Sequence, residues 1–75
     1  MIKELDTVVL KDDLPGYGLK AGDLGTVVLV HGPSGFEVEF LTLDGETVGV
    51  VSLYPHQVRA VERREIAQAR AIQVA

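Results

Sequence analysis

Leu14-Pro15-Gly16-Tyr17-Gly18-Leu19-Lys20-Ala21-Gly22-Asp23-Leu24-Gly25-Thr26-Val27-Val28-Leu29-Val30 is the stretch that decides the fold. Its first half is a glycine-rich excursion in which Pro15 cannot donate to a strand ladder, so Lys11 to Ala21 reads as a loop. Gly22-Asp23-Leu24-Gly25 reads as a tight turn whose two glycines tolerate positive φ. A strand follows over Gly25 to His31. It is apolar on both parities, Val27 and Leu29 against Val28 and Val30, as a central strand covered in part on both sides should be. A long loop, a tight turn and a Val-rich strand in that order open many small β-barrels.

The flanking sequence completes the pattern. Upstream, Asp6 to Leu10 reads as a first strand, rich in Thr and Val. Downstream, Gly32-Pro33-Ser34-Gly35 breaks the central strand, and Phe36-Glu37-Val38-Glu39-Phe40 alternates cleanly, with the acids on one side and the apolar residues on the other. Asp44-Gly45 between two strand-like runs predicts a hairpin, both residues being suited to a type I′ turn. Thr47 to Leu53 is a fourth strand, where Gly49 predicts a bulge or a close backbone approach. Tyr54-Pro55-His56-Gln57 fits a single 3-10 turn, and Val58 to Val61 a short last strand. The expectation is a mostly β chain: an SH3-like five-stranded barrel over residues 1–61 with a C-terminal tail over 62–75. Glu62 to Ala75 has no Gly or Pro and is rich in Ala, Arg, Gln and Glu, so its propensity is helical, although nothing near Glu62 offers a good N-cap.

Composition narrows the function classes. The chain has 75 residues, one domain, and its net charge is −4. With no cysteine it has no disulfide, no thiolate-held zinc and no thiol nucleophile. Residues 1–58 carry nine acids against three lysines, a balance of −6, whereas residues 59–75 carry four arginines against two glutamates, a balance of +2. An acidic body repels phosphate backbones and attracts a basic protein surface. The N-terminal residues lack a signal-type apolar run, and the longest apolar runs, Thr26 to Val30 and Val48 to Val51, fall far short of a membrane span. A soluble, cytoplasmic protein without membrane contact is expected.

Several stretches also carry a family resemblance. Lys3-Glu4-Leu5-Asp6-Thr7-Val8-Val9-Leu10, Tyr17-Gly18-Leu19-Lys20-Ala21-Gly22-Asp23-Leu24-Gly25-Thr26-Val27-Val28, and Glu37-Val38-Glu39-Phe40 with Leu43-Asp44-Gly45-Glu46-Thr47 resemble the bacterial domain-of-unknown-function family 4926. The tail Arg64-Glu65-Ile66-Ala67-Gln68-Ala69-Arg70 resembles it as well. The family name implies no activity. More distantly, Gly22 to Val27 is similar to the turn and strand of KOW modules and of small subunits of photosynthetic and redox complexes. That similarity implies binding of macromolecules, at the level of fold alone.

The residues themselves offer little chemistry. Ser34 or Ser52 with His31 or His56 are the only nucleophile–base pairings, and neither comes with an orienting group. His31, His56, Asp12, Asp13, Asp23 and Asp44 show no metal-ligand spacing. The glycines of 16–25 lack the Gly-Lys-Ser/Thr of a phosphate loop and precede a strand where a helix is needed. No enzymatic activity and no cofactor are expected.

Surface candidates are better. Tyr17 in the long loop and Tyr54 before Pro55 lie in regions that form a peptide groove in SH3-like barrels, or else they cap the barrel ends. Glu37 and Glu39 project together, with Asp44 and Glu46 at the neighbouring hairpin, as a solvated face or as an acidic strip for a basic partner. Arg63, Ile66 and Arg70 would present the tail. The expected role is a non-catalytic protein-binding accessory module, either antitoxin- or immunity-like or a small subunit of a larger complex. The alternative is a KOW-like nucleic-acid-binding module that uses the tail arginines. Unpaired edge strands add the option of a homodimer.

Overall fold

The computed structural model describes residues 1–72. Five strands form one antiparallel sheet: β1 Thr7–Leu10, β2 Leu24–Val30, β3 Phe36–Leu41, β4 Thr47–Leu53 and β5 Val58–Ala60. Their order is β4-β3-β2-β1-β5, a four-stranded meander with the last strand returned beside the first. All five expected strands and the 3-10 turn before β5, at Pro55–Gln57, lie within one or two residues of their predicted places.

Alternation sorts the side chains. On β3, Val38 and Phe40 point inward and are buried, while Glu37 and Glu39 point outward. The inner face joins Val8, Leu10, Val27, Val38, Phe40, Val51, Leu53 and Val58 into one core. Leu19 reaches the same core from the long loop. That loop is organised by a 3-10 turn at Pro15–Tyr17 and by a bridge between Leu14 and Leu19, whose backbones exchange hydrogen bonds of 2.9 and 3.2 Å. Gly18, at φ 71°, closes the 3-10 turn in the left-handed region that glycine favours.

The turn before β2 differs from its expectation. It lies over Lys20–Asp23: the Asp23 N–H donates to the Lys20 carbonyl (3.0 Å), and the Lys20 N–H donates to the Asp23 carboxylate (2.8 Å). Only Gly22 takes positive φ. Gly25 is already within β2 and is glycine for a different reason. A Cβ there would come within 2.5 Å of Val38 Cγ1 and 2.9 Å of Phe40 Cε1. The Asp44-Gly45 hairpin is likewise not type I′, since Gly45 has positive φ and Asp44 does not. The Gly45 N–H donates to the Thr42 carbonyl and the Thr42 N–H to the Glu46 carbonyl, a three-residue loop that ends on a glycine. Gly49 does mark a bulge: Phe40 pairs with Gly49 but Leu41 with Thr47, so Val48 is the extra residue.

Two larger expectations are corrected. The sheet does not close into a barrel, because β4 and β5 are its two edges and do not pair. β5 has only three residues, all registered against β1, and the connection from β4 contains Pro55, which has no N–H to offer a ladder. The tail is not a helix over 62–72, and residues 73–75 of the expected helix lie outside the described residues. Arg64 sits at φ 63°, which breaks the first turn of any helix begun at Glu62. The Glu65 carboxylate instead accepts the Glu62 N–H (2.6 Å) and forks Arg59 (2.8 and 2.7 Å). Further on, Arg70 is bound to the body and Ile72 packs against the core. These tertiary contacts override a weak, uncapped helical propensity.

Candidate partner-binding surface

Strand register places Glu37 and Glu39 on the outward face of the sheet. Leu29, Glu37 and Ser52 form one row across β2, β3 and β4; Thr26, Glu39 and Val50 form the next. Within this face Leu29, Leu24, Leu41 and Val50 are exposed apolar side chains, Val50 to 52%. A shallow depression of about 80 Å³ between Thr7, Leu24, Thr26, Glu39 and Leu41 breaks its surface.

The acids here are held by neighbours rather than left free. Ser52 Oγ donates to both Glu37 oxygens (2.8 and 2.6 Å), and His31 Nε2 lies 2.7 Å from Glu37 Oε2. The Ser52 hydrogen bonds, then the His31 contact, hold the Glu37 carboxyl below its usual range. Glu39 accepts from Thr47 Oγ1 at 3.1 Å. Asp44 takes the Thr42 hydroxyl within the hairpin, and Glu46 is exposed at its end. Thus Glu37 and Glu39 share one surface, as the alternation requires, while Asp44 and Glu46 flank it at the β3–β4 turn.

Sequence reasoning missed the cluster that joins His31 to Ser52. The serine and the histidine are not paired with each other; both meet the carboxylate between them. Among the described residues the Ser34 N–H donates to the His31 carbonyl (3.1 Å), but neither serine hydroxyl bonds a histidine ring, and no group of three metal-ligating side chains converges. Cross-strand register supplies the signal, since Glu37 stands directly opposite Ser52.

The aromatics occupy separate settings. Tyr17 is 53% exposed and lies beside Gly49, where a Cβ would be 3.9 Å from its ring. Tyr54 is 64% exposed and stacks on His56, with ring centroids 5.7 Å apart and planes 7° from parallel. It borders a cleft of about 170 Å³ that His31, Phe36 and Ser52 also line.

The tail candidates divide. Ile66 is 94% exposed and Arg63 is exposed. Arg70 is engaged within the chain: its Nε donates to Asp23 Oδ1 (2.8 Å), and its Nη2 to the Gly18 carbonyl (3.0 Å) and to Asp23 Oδ2. Burial pushes the Asp23 carboxyl up, but the hydrogen bonds from Arg70 and the Lys20 N–H outweigh it, and the net shift is downward. Both the Arg70 and the Arg59 guanidinium are pushed up by the carboxylates they bond.

No helix among the described residues is long and apolar enough to cross a membrane. Neither a curated protein nor a solved structure matches this chain. The model of one family, described as a domain of unknown function (DUF4926), matches residues 4–60 and so takes in the whole five-stranded sheet and the turn that holds Asp23. The chain belongs to the DUF4926 family.

Proposed function

We propose that this chain is a non-catalytic protein-binding module that meets a basic partner through the outward face of β3 and β4. The observation that carries the reading is the pairing of two outward acids, Glu37 and Glu39, with exposed Leu29 and Val50 in the same two rows. Apolar contact area beside charge is what a protein interface uses, and charge complementarity steers the encounter. β4 adds support as an unclosed edge with no Lys, Asp, Glu or Pro among its seven residues, the kind of edge that accepts another strand. The strand order is also that of SH3-like accessory domains, an analogy of fold. Such a module acts by masking a basic enzyme, as an antitoxin or immunity protein does, or as a small subunit of a larger complex in the cytoplasm. The KOW-like alternative draws less support, since Arg59 and Arg70, half of the arginines it would rely on, are bonded to Glu65 and Asp23.

The test is capture from source cells with the full chain as bait, with and without RNase, beside a bait carrying Glu37→Lys and Glu39→Lys. The reading expects a stoichiometric basic protein that survives RNase and is lost with the double variant. Capture that is unchanged by the charge reversal, or that RNase abolishes, overturns it.

A further inference from the structure

The contacts of Arg70 have a feature that a simple surface ion pair lacks. Every group that receives the side chain from the body is organised without it. Asp23 is held by the Lys20 turn, and its own carbonyl accepts the Leu10 N–H at 2.9 Å. Asp13 Oδ1 accepts the Ala21 N–H at 2.9 Å, which fixes the same turn from the other side. The Gly18 carbonyl is set by the 3-10 turn before it. All of these groups lie within the family domain of residues 4–60, whereas Arg70 lies outside it.

The tail is attached at few points. Glu65 anchors its start through Arg59. Ile66 to Ala69 are exposed. Then Arg70 forks Asp23, and Ile72 packs on the core. Arg70 and Ile72 are two residues apart, the spacing at which an extended chain turns both side chains to the same side. A planar guanidinium that bonds a carboxylate through two nitrogens and a carbonyl through one of them is a specific fit, which an ammonium would not reproduce.

We propose that Gly18 and Asp23 form an arginine-recognition site, filled in this chain by its own tail, and that the tail must leave before an arginine-bearing extended segment of a basic partner can enter. The proposal rests on the reading that the partner is basic. It extends that reading by naming a second contact site and the Arg-x-aliphatic pattern the site accepts. A tail docked at least about nine-tenths of the time weakens an incoming segment about tenfold or more, because only the open fraction binds.

A peptide of residues 62–72, added to isotope-labelled full-length protein, tests this by amide NMR. In the Arg70→Ala protein the peptide should shift the Gly18, Lys20 and Asp23 amides saturably, and the wild type should require about tenfold more peptide. Adding Asp23→Asn, which keeps an oxygen acceptor for the Lys20 N–H, should abolish the response. So should a peptide carrying Arg70→Ala, a control that needs no further protein variant. The proposal is overturned if Arg70→Ala protein ignores the peptide at millimolar concentration, if Asp23→Asn leaves binding intact, or if wild type binds equally well. A wild-type dimer that Arg70→Ala dissolves would also overturn it, by showing exchange of tails between copies. None of these readouts involves Glu37 or Glu39, so a failure here is separate from a failure of the outward-face reading.

Discussion

Single atoms decide several positions. Gly25 is glycine because a Cβ there would press on Val38 and Phe40, two of the most buried side chains. Gly25→Ala should cost about 1–3 kcal/mol of unfolding free energy in denaturant titration, the usual cost of overpacking. Gly35→Ala should cost more, since φ is 141° and the added carbon meets the rigid Leu53 carbonyl. A ranking in which Gly25→Ala is neutral would contradict the close crossing.

Charges at the same scale predict titrations. Glu65 is lowered from 4.5 to about 2, first by the Arg59 hydrogen bonds and then by the Glu62 N–H. A lowered carboxyl pKa means that the fork stabilises the fold above about 4.5 and that its contribution is lost as pH falls towards about 2. In an NMR titration Arg59→Ala should return Glu65 towards 4.5 and leave Glu37 in place. Ser52→Ala should raise Glu37 more than His31→Ala does, because the serine hydrogen bonds are the larger cause. A Glu37 carboxyl indifferent to Ser52 would refute that account of the cluster.

Elements were legible in the sequence wherever the cause is local. The Glu37/Glu39 alternation, the Pro15 interruption, the Asp44-Gly45 turn and the bulge at Gly49 each name their element from nearest neighbours. What failed depends on side-chain contacts that residue spacing does not show, some of them with partners far along the chain. The exact turn before β2 follows from the Asp23 side chain capping Lys20, a contact that glycine spacing does not reveal. The tail reads as helix by propensity, yet Asp23, 47 residues before Arg70, helps hold it against the body. Of the candidate site, β3 and its two acids were legible from alternation. The Ser52–Glu37–His31 cluster was not, because it needs the cross-strand register. Arg70→Ala should therefore lower the NMR order parameters of residues 66–72 while leaving those of the core strands unchanged; unchanged order parameters in the tail would contradict the clasp. Gly45→Val should cost about 1 kcal/mol or more, since a β-branched residue is strained at φ 95°.

The whole molecule is a small open sheet with one inner core and one outward face. Phe40 is 2% exposed and is the largest of the fully buried side chains in that core. Phe40→Ala should cost about 3–5 kcal/mol, as much as a single core of this size typically supplies, so the variant should be largely unfolded by circular dichroism at room temperature. A folded Phe40→Ala protein would mean that the core is spread beyond the inner face. The open edge at β4 is the complement of this small core: the sheet ends where closure would need a longer β5. The edge and the outward acids lie on adjoining strands, so a partner placed there touches both. Hydrogen exchange on the complex recovered from cells, compared with the free chain, measures that placement directly. New protection is predicted over Phe36–Leu41 and Thr47–Leu53; protection confined to other segments, with β3 and β4 unchanged, would contradict the outward face as the contact surface.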